Sequence, residues 1–196
     1  GELRSRMEKA RMELGQTSAR RKVISEMESA YEGYNHGVKF IMKSGLPGLH
    51  GVVAELMEVP SGFETAVETA LGAAVQNVVC EDDESAKKAV ALLKKNRAGR
   101  LTFLPLSSIR ASAPHYDPAI EKQEGFQGFG VDCITFDPKY RKVMEYLLGR
   151  VVIVDRLDSA VKLSKKAGGG LRFVTLEGEV INAGGAITGG AFAPTI

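Results

Sequence analysis

Tryptophan is absent from this chain of 196 residues, and cysteine occurs only twice, at Cys80 and Cys133. Both cysteines follow apolar segments and neither belongs to a CxxC motif, so buried free thiols are favoured over a disulfide, as in a reducing cytosol. No apolar run approaches the roughly 20 residues that a helix needs to cross a bilayer. The N-terminus is charged and lacks the pattern of a signal peptide. These absences argue against a disulfide-rich secreted protein and against a membrane protein.

The motifs of catalysis and of nucleotide binding are also missing. The chain contains no GxxxxGK[ST] motif and no GxGxxG motif between a strand and a helix. His36, His50 and His115 are scattered and have no partner at the spacing of a helical zinc site. The acidic residues 81–84 lack the alternating ligands of a calcium loop and are better explained as a cluster at a helix N-terminus. We therefore predict no catalytic residue, no metal site and no cofactor.

The chain does contain an internal repeat. Both copies have Leu-Gly, a short apolar segment, Ser-Ala, a lysine pair and a segment with Phe, in the same order. The offset between the copies is 77 residues from Gly72 to Gly149 and 70 residues from Phe103 to Phe173, so the second copy is slightly shorter. Duplicated halves favour a pseudo-symmetric molecule, and such molecules readily close into rings with further copies.

Apolar spacing and glycine or proline breaks predict strands alternating with helices in both copies. The predicted strands are 52–59, 78–80, 101–106, 131–136, 151–155, 171–176 and 179–182. The predicted helices are 37–43, 63–76, 83–96, 138–148 and 158–166. This alternation predicts an α+β (mixed α/β) fold with two pseudo-repeated subdomains, each a mixed sheet with packed helices.

A coiled-coil helix is predicted before the two subdomains. Residues 1–32 are highly charged and lack proline, and residues at heptad spacing run from Leu3 to Ile24. Since nothing after Gly190 supplies a partner helix, we expect a piece of a longer protein. The predicted segments are the end of a coiled-coil arm at 1–36, subdomain I at 37–110, a connector at 111–130, and subdomain II with its tail at 131–196.

The glycine-rich segment 182–190 has two interpretations. Glycine-rich turns can expose backbone N–H groups to a phosphate. Glycines also permit positive φ and close approach of two backbones at a turn or an interface. No lysine follows these glycines, so close packing or an interface is favoured.

Three segments together identify a resemblance. They are LPGLHGVVAEL at 46–56, NRAGRLTFLPL at 96–106 and GGAITGG at 184–190. In their order and spacing, from about residue 28 to residue 190, the chain closely resembles the hinge domain of bacterial structural maintenance of chromosomes (SMC) proteins, with a stub of coiled coil.

The resemblance implies a homodimerisation hinge that joins two coiled-coil arms in chromosome condensation and segregation. It places the protein in the cytoplasm, on the bacterial nucleoid, and implies that this hinge is not an enzyme, because ATP and kleisin-type subunits bind at distant heads. It also places the glycines at a dimer contact. Since a strand that ends each half leaves an unpaired edge, we expect 171–176 and 179–182 to face 100–106. The predicted interface residues are Gly184, Gly185, Gly189, Gly190, Leu171, Phe173, Thr175, Leu101 and Phe103.

Weak, sequence-independent DNA binding is a further implication of the resemblance. The net charge is only +2, but residues 86–110 carry seven Lys or Arg and no acid. Charge alone favours a solvated helix face, whereas the resemblance favours phosphate contacts with steep salt dependence. The candidate DNA-contacting residues are Lys87, Lys88, Lys94, Lys95, Arg141, Lys142, Lys162, Lys165 and Lys166.

The alternative from another class is a duplicated α/β domain, enzymatic or regulatory, that binds a small molecule between its halves. It would need convergent polar groups at strand ends, and the sequence shows none with usable spacing.

Overall fold

The computed structural model describes residues 34–192, so the predicted coiled coil at 1–32 lies outside the described residues. The helices in this range are α1 His36–Met42, α2 Glu64–Leu71, α3 Asp83–Asn96, α4 Arg141–Leu148 and α5 Leu157–Ala167. The strands are β1 Leu49–Val52, β2 Val78–Cys80, β3 Phe103–Pro105, β4 Phe126–Phe129, β5 Val151–Val154, β6 Arg172–Thr175, β7 Val180–Ile181 and β8 Ile187–Thr188. Short 3₁₀ turns connect several of them.

The two copies of the repeat form two sheets with the same core topology. The first sheet has the order β1-β2-β3, and the second has the order β4-β5-β6-β7-β8. In each sheet the first pair is antiparallel and the second pair is parallel, joined by a crossover helix, α3 or α5. The predicted mixed α/β fold with a mixed sheet in each copy is confirmed, and the second sheet is longer by the β7–β8 hairpin.

Strands β2 and β5 are apolar along their whole length because both of their faces are covered. All residues of β2 and of β5 are buried. Parallel strands with covered faces typically show such continuous runs of Val and Ile instead of an alternating pattern.

Helix α3 shows why its bounds were predictable from sequence. The Asp82 carboxylate accepts a hydrogen bond from the backbone N–H of Ser85 at 2.9 Å, so Asp82 is the N-cap. Acids occupy the first turn and lysines the last, as the helix dipole favours. The predicted N-terminal role of 81–84 is confirmed. The helix ends at Arg97, which takes the left-handed conformation with φ 50°, two residues before Gly99.

The first strand of each copy lies earlier than predicted. Strands were expected at 52–59 and 131–136, but β1 and β4 end before most of those residues. Both strands contain a glycine at which the pairing register shifts, and both are followed by a 3₁₀ turn. The glycine therefore lies at a bulge inside the strand, an irregularity that apolar spacing alone does not reveal.

The described chain groups into two compact units that interleave along the sequence. The first unit contains residues up to 58, 73–109 and 135–143, and the second contains 59–72, 110–134 and the residues from 144 onward. Each unit therefore includes a segment from the other copy of the repeat. The predicted subdomain boundaries, which rest on the repeat, stay a prediction.

Each unit has its own hydrophobic core. In the first unit, Ile41, Ala89, Leu93 and Ala98 pack together beneath α3. In the second unit, β5, β6 and α5 contribute to a larger cluster that includes Val152, Leu163, Phe173 and Ile181.

Candidate interaction site

The β7–β8 hairpin carries the glycine-rich segment on the surface of the second unit. Val180 pairs with Thr188 and Ile181 with Ile187. The turn is closed by a bond from Asn182 N–H to the Ala186 carbonyl at 2.9 Å and by one from Gly185 N–H to the Asn182 carbonyl at 2.8 Å. Both residues of β8 are exposed, and Ile187 exposes 56% of its surface.

The outer side of β8 presents backbone groups. Within residues 34–192, β8 pairs only with β7. Hydrogen-bonded and non-hydrogen-bonded pairs alternate along an antiparallel ladder, and the Asn182–Ala186 pair is hydrogen-bonded. The Ile181–Ile187 pair is therefore of the other kind, and the N–H and C=O of Ile187 point away from β7. The predicted secondary structure contained no strand at Ile187–Thr188, so sequence reasoning missed this edge.

The first sheet ends in a comparable edge at β3, which in the described range pairs only with β2. The Thr102 carbonyl accepts from Val78 N–H at 3.0 Å, and Leu106 N–H donates to the Cys80 carbonyl at 2.8 Å. Alternate residues of a strand face opposite sides of the ladder. The N–H and C=O of Phe103 consequently point away from β2, while Pro105 has no N–H to offer.

The expectation that 171–176 and 179–182 form edges is wrong, since β7 lies between β6 and β8. Strand β6 lies between β5 and β7, and Leu171, Phe173 and Thr175 are all at most 2% exposed. The sequence reading did not include β8, so it stopped the sheet too early. These three side chains belong to the core, and their part in a dimer contact stays a prediction. Leu101 and Phe103 are half-buried and pack against the core of the first unit.

The four predicted interface glycines are exposed but differ in their surroundings. Gly185 and Gly190 have φ values of 101° and 127°, which side chains disfavour, and a Cβ on Gly189 would come within 3.0 Å of Glu179 Cγ. A Cβ on Gly184 would meet no atom within 4 Å, and Gly184 does not have positive φ. Nothing in the described part of the protomer requires glycine at 184.

A groove of about 280 Å³ runs beside this hairpin. It lies between α5 and the turn, and its lining includes Val161, Phe173, Ile181 and Ile187 together with Lys165. Its walls are therefore largely apolar and continuous with the exposed face of β8.

The predicted DNA-contacting residues are all exposed. Lys87, Lys88, Lys94 and Lys95 lie on α3, and Lys162, Lys165 and Lys166 lie on α5. Lys87 is 3.2 Å from Glu84 in an exposed ion pair, and the Arg141 guanidinium lies 5.0 Å above the Phe136 ring. Arg141 and Lys142 group with the first unit, although the sequence reading assigned them to the second half.

His50 is a structural residue of the first unit. Its Nε2 lies 2.8 Å from Glu81 Oε1, and its Nδ1 lies 3.0 Å from the hydroxyl of buried Tyr140. Burial is the main cause that raises the pKa of Tyr140, with Asp137 and Glu81 adding to it. His50 thus fastens the 135–143 segment to the sheet, and it belongs to no metal-binding group.

The predicted free thiols are confirmed, with Cys80 buried and Cys133 half-buried. Burial, followed by the charges of Asp82 and Asp83, raises the pKa of Cys80 to about 11, so this thiol is unreactive near neutral pH. Across residues 34–192, no three His, Cys, Asp or Glu side chains are placed to share a metal ion. None of the helices in the same range has the length and apolarity to span a bilayer.

Comparisons with known proteins agree with this architecture. Residues 46–164 match the family described as SMC proteins Flexible Hinge Domain. The chain is 42% identical over 180 residues to the chromosome partition protein Smc of Bacillus subtilis and 39% identical over 191 residues to that of Halothermothrix orenii. The alignments cover 90% and 96% of this chain but only 15% and 16% of those relatives.

Solved structures show the same fold. The SMC hinge domain of Geobacillus stearothermophilus, crystallised as an asymmetric dimer, superposes with a TM-score of 0.80 at 37% identity, covering 98% of this chain and 80% of that one. The Pyrococcus furiosus hinge gives 0.67 at 35% identity, covering 86% and 89%. A family match over more than half of the chain, together with these structures, shows that the chain belongs to the SMC hinge domain family.

Proposed function

We propose that this chain is a homodimerisation hinge in which β3 of each protomer pairs with β8 of the other. The observation that carries the proposal is the pair of outward-facing strand edges, one in each sheet. Phe103 and Ile187 each direct a backbone N–H and C=O away from the neighbouring strand. An edge of this kind is a template for a strand from another chain.

The number of edges matches what closure between two identical chains requires. Each protomer offers one β3 and one β8, so two protomers form two equivalent contacts and use both kinds of edge, as a two-fold dimer requires. In the second sheet, the position next to β6 is already filled by β7. The equivalent position next to β3 is open in the described chain and would accept the partner's β8.

Side chains near β8 support the same contact. Ile187 is an apolar residue with more than half of its surface exposed, beside the apolar groove described above. No contact within residues 34–192 requires glycine at position 184, which fits a site where a second backbone approaches closely. Gly185, Gly189 and Gly190 are proposed as part of the same interface, together with Leu101 and Phe103 on the opposing edge.

The dimer is tested by absolute mass in solution across a dilution series. We expect twice the chain mass of 21.1 kDa for the parent and a shift toward 21.1 kDa for Gly184→Val. Gly169→Val is the matched control, because Gly169 also has no neighbour within 4 Å and no positive φ but lies after α5, outside the hairpin. A monomeric parent at all concentrations, or equal behaviour of the two variants, would contradict the proposal.

We also propose weak DNA binding through the exposed lysines of α3 and α5 and through Arg141 and Lys142. Contacts to phosphate alone predict affinity that falls steeply with salt and does not depend on sequence. The test is titration of a random duplex at several salt concentrations. Affinity that is insensitive to salt would exclude this mode of binding.

The roles of the full-length protein extend beyond this chain. We propose that the hinge joins two coiled-coil arms of a chromosome partition protein, with ATP and kleisin-type subunits bound at distant heads and the whole associated with the cytoplasmic nucleoid. The hinge itself is proposed to be non-enzymatic and to need no cofactor. Family membership favours this function over the small-molecule-binding alternative. Measuring chromosome segregation in cells that carry Gly184→Val in the full-length protein tests this proposed role.

A further inference from the structure

We infer that Arg172 is a positioning residue for the dimer edge. Its guanidinium joins the C-terminal turn of α2 to the β7–β8 turn and holds β8 in the place where it meets a second copy. This inference rests on the proposed function, since it concerns the same edge.

The guanidinium of Arg172 makes two hydrogen bonds in different directions. Nη1 donates to the carbonyl oxygen of Ala70 at 3.0 Å, and Nε donates to Asn182 Oδ1 at 3.2 Å. The side chain is half-buried, while Leu171 and Phe173 on either side of it are buried in the core. The core therefore holds the backbone of Arg172 in place. The two hydrogen bonds of its guanidinium then connect Asn182 to the Ala70 carbonyl.

The contact with Ala70 anchors the arginine to a rigid element. Ala70 lies in the last turn of α2, where carbonyl groups lack partners within the helix and the dipole favours a positive charge. The planar guanidinium has several donors in a fixed geometry, so it can serve this carbonyl and a second acceptor together, as a lysine cannot.

The contact with Asn182 reaches the residue on which the hairpin turn depends. The backbone of Asn182 makes both of the turn's closing bonds, to Ala186 and Gly185. Beyond that turn, β8 is held by only two residue pairs with β7. An isolated two-stranded hairpin is marginally stable in water, so an external bond to its turn has a large influence on where β8 lies.

The repeat shows that this arginine accompanies the hairpin. Val78 pairs with Phe103 in the first copy and Val152 pairs with Phe173 in the second, so Thr102 is the counterpart of Arg172. Thr102 is exposed, and no hairpin extends the sheet beyond β3 in the described chain. At this position, only the second copy, which has the β7–β8 hairpin, carries a residue that hydrogen-bonds to two separate elements.

The test compares Arg172→Met, Asn182→Ala and the double variant by sedimentation equilibrium. We expect each single change to raise the dimer Kd about tenfold or more, since each contact occurs in both halves of the dimer. The double variant should be little worse than either single one, because both remove the same bond. Arg150→Met is the matched control, since Arg150 also bridges two loop groups, Gly170 O at 3.3 Å and Ser112 Oγ at 3.4 Å.

Amide exchange separates positioning from general stability. The comparison with the parent is made at concentrations where each protein is monomeric. Arg172→Met and Asn182→Ala should both speed amide exchange at residues 182–188 and leave the protection of β5 unchanged. Additive effects on Kd, or an Arg172→Met dimer as tight as that of Arg150→Met, would overturn the inference. If Arg172→Met does not fold, the dimer Kd and the amide exchange of Asn182→Ala alone test the inference. The proposed dimer edge fails separately, if Ile187→Ser leaves dimerisation unchanged.

Discussion

Replacement of Ile187 by serine is the most direct test of the β8 edge. Complete burial of an isoleucine side chain is worth about 1.5–3 kcal/mol. Ile187 exposes 56% of its surface, so a dimer contact that covers it gains about half of that amount, roughly 0.8–1.7 kcal/mol. Two equivalent contacts double the gain to about 1.6–3.4 kcal/mol, which corresponds to a rise in Kd of about 15- to 300-fold for Ile187→Ser.

The same substitution should hardly change the protomer. Ile187 lies on a strand whose residues are both exposed, so its loss opens no core cavity. We expect the free energy of unfolding of the monomer to change by no more than in a typical surface variant, within about 0.5 kcal/mol. Thermal or denaturant unfolding at concentrations below the dimer Kd measures this directly.

Sedimentation equilibrium over a wide range of concentrations is the assay for affinity. Val90→Ser is the matched control, since Val90 is also an exposed apolar residue, 41% exposed, but lies on α3 and belongs to neither β3 nor β8. A Kd for Ile187→Ser within about twofold of that for Val90→Ser would refute the reasoning, because a buried isoleucine contact cannot be lost at so small a cost.

Four further outcomes are expected. Gly184→Val should weaken the dimer without lowering the monomer's unfolding midpoint, as measured by light scattering and calorimetry, because a Cβ there meets no atom of the described chain within 4 Å. Phe173→Ala should reduce the free energy of unfolding by about 3–5 kcal/mol in denaturant titrations, because this side chain is only 1% exposed. Cys80 should ionise at about pH 9 when unfolded and about pH 11 when folded; its neutral thiol therefore stabilises the fold below pH 9, and that contribution is lost as the pH rises toward 11. Unfolding titrations from pH 8 to pH 11 should accordingly show a steeper loss of stability for the parent than for Cys80→Ala. Replacing Lys94 and Lys95 by glutamine should reduce the slope of log K against log salt for duplex binding by about two, and an unchanged slope would remove α3 from the DNA surface.

The sequence predicted those elements whose signals are local. Helix α3 was predicted with both of its observed ends because Asp82, the acids after it and the lysines of the last turn mark those ends without tertiary contacts. Strand β2 was also predicted at its observed bounds, since three apolar residues stand between clear breaks. The glycines of the hairpin could be singled out because their density is unusual.

The rest depended on contacts between distant residues. Strand β8 is two exposed residues long, and no periodic pattern marks it, since it exists through pairing with β7. Without β8, the edge is predicted at 171–176 and 179–182, whereas β6 and β7 both lie inside the sheet. Arg172 resembles an ordinary surface arginine until Ala70, 102 residues away, is seen to accept its hydrogen bond.

That distance of 102 residues has a consequence for synthesis on the ribosome. Helix α2 buries Ala66, Val67, Ala70 and Leu71 in the second unit, whose other two segments, 110–134 and the residues from 144 onward, come later in the chain. At about 5–20 residues per second, α2 emerges roughly 5–20 s before β6 is made. Its apolar face is then a target for chaperones or for a neighbouring nascent chain on the same message. Slowing translation between residues 72 and 172 should therefore lower the yield of folded protein more than slowing it by the same amount after residue 176.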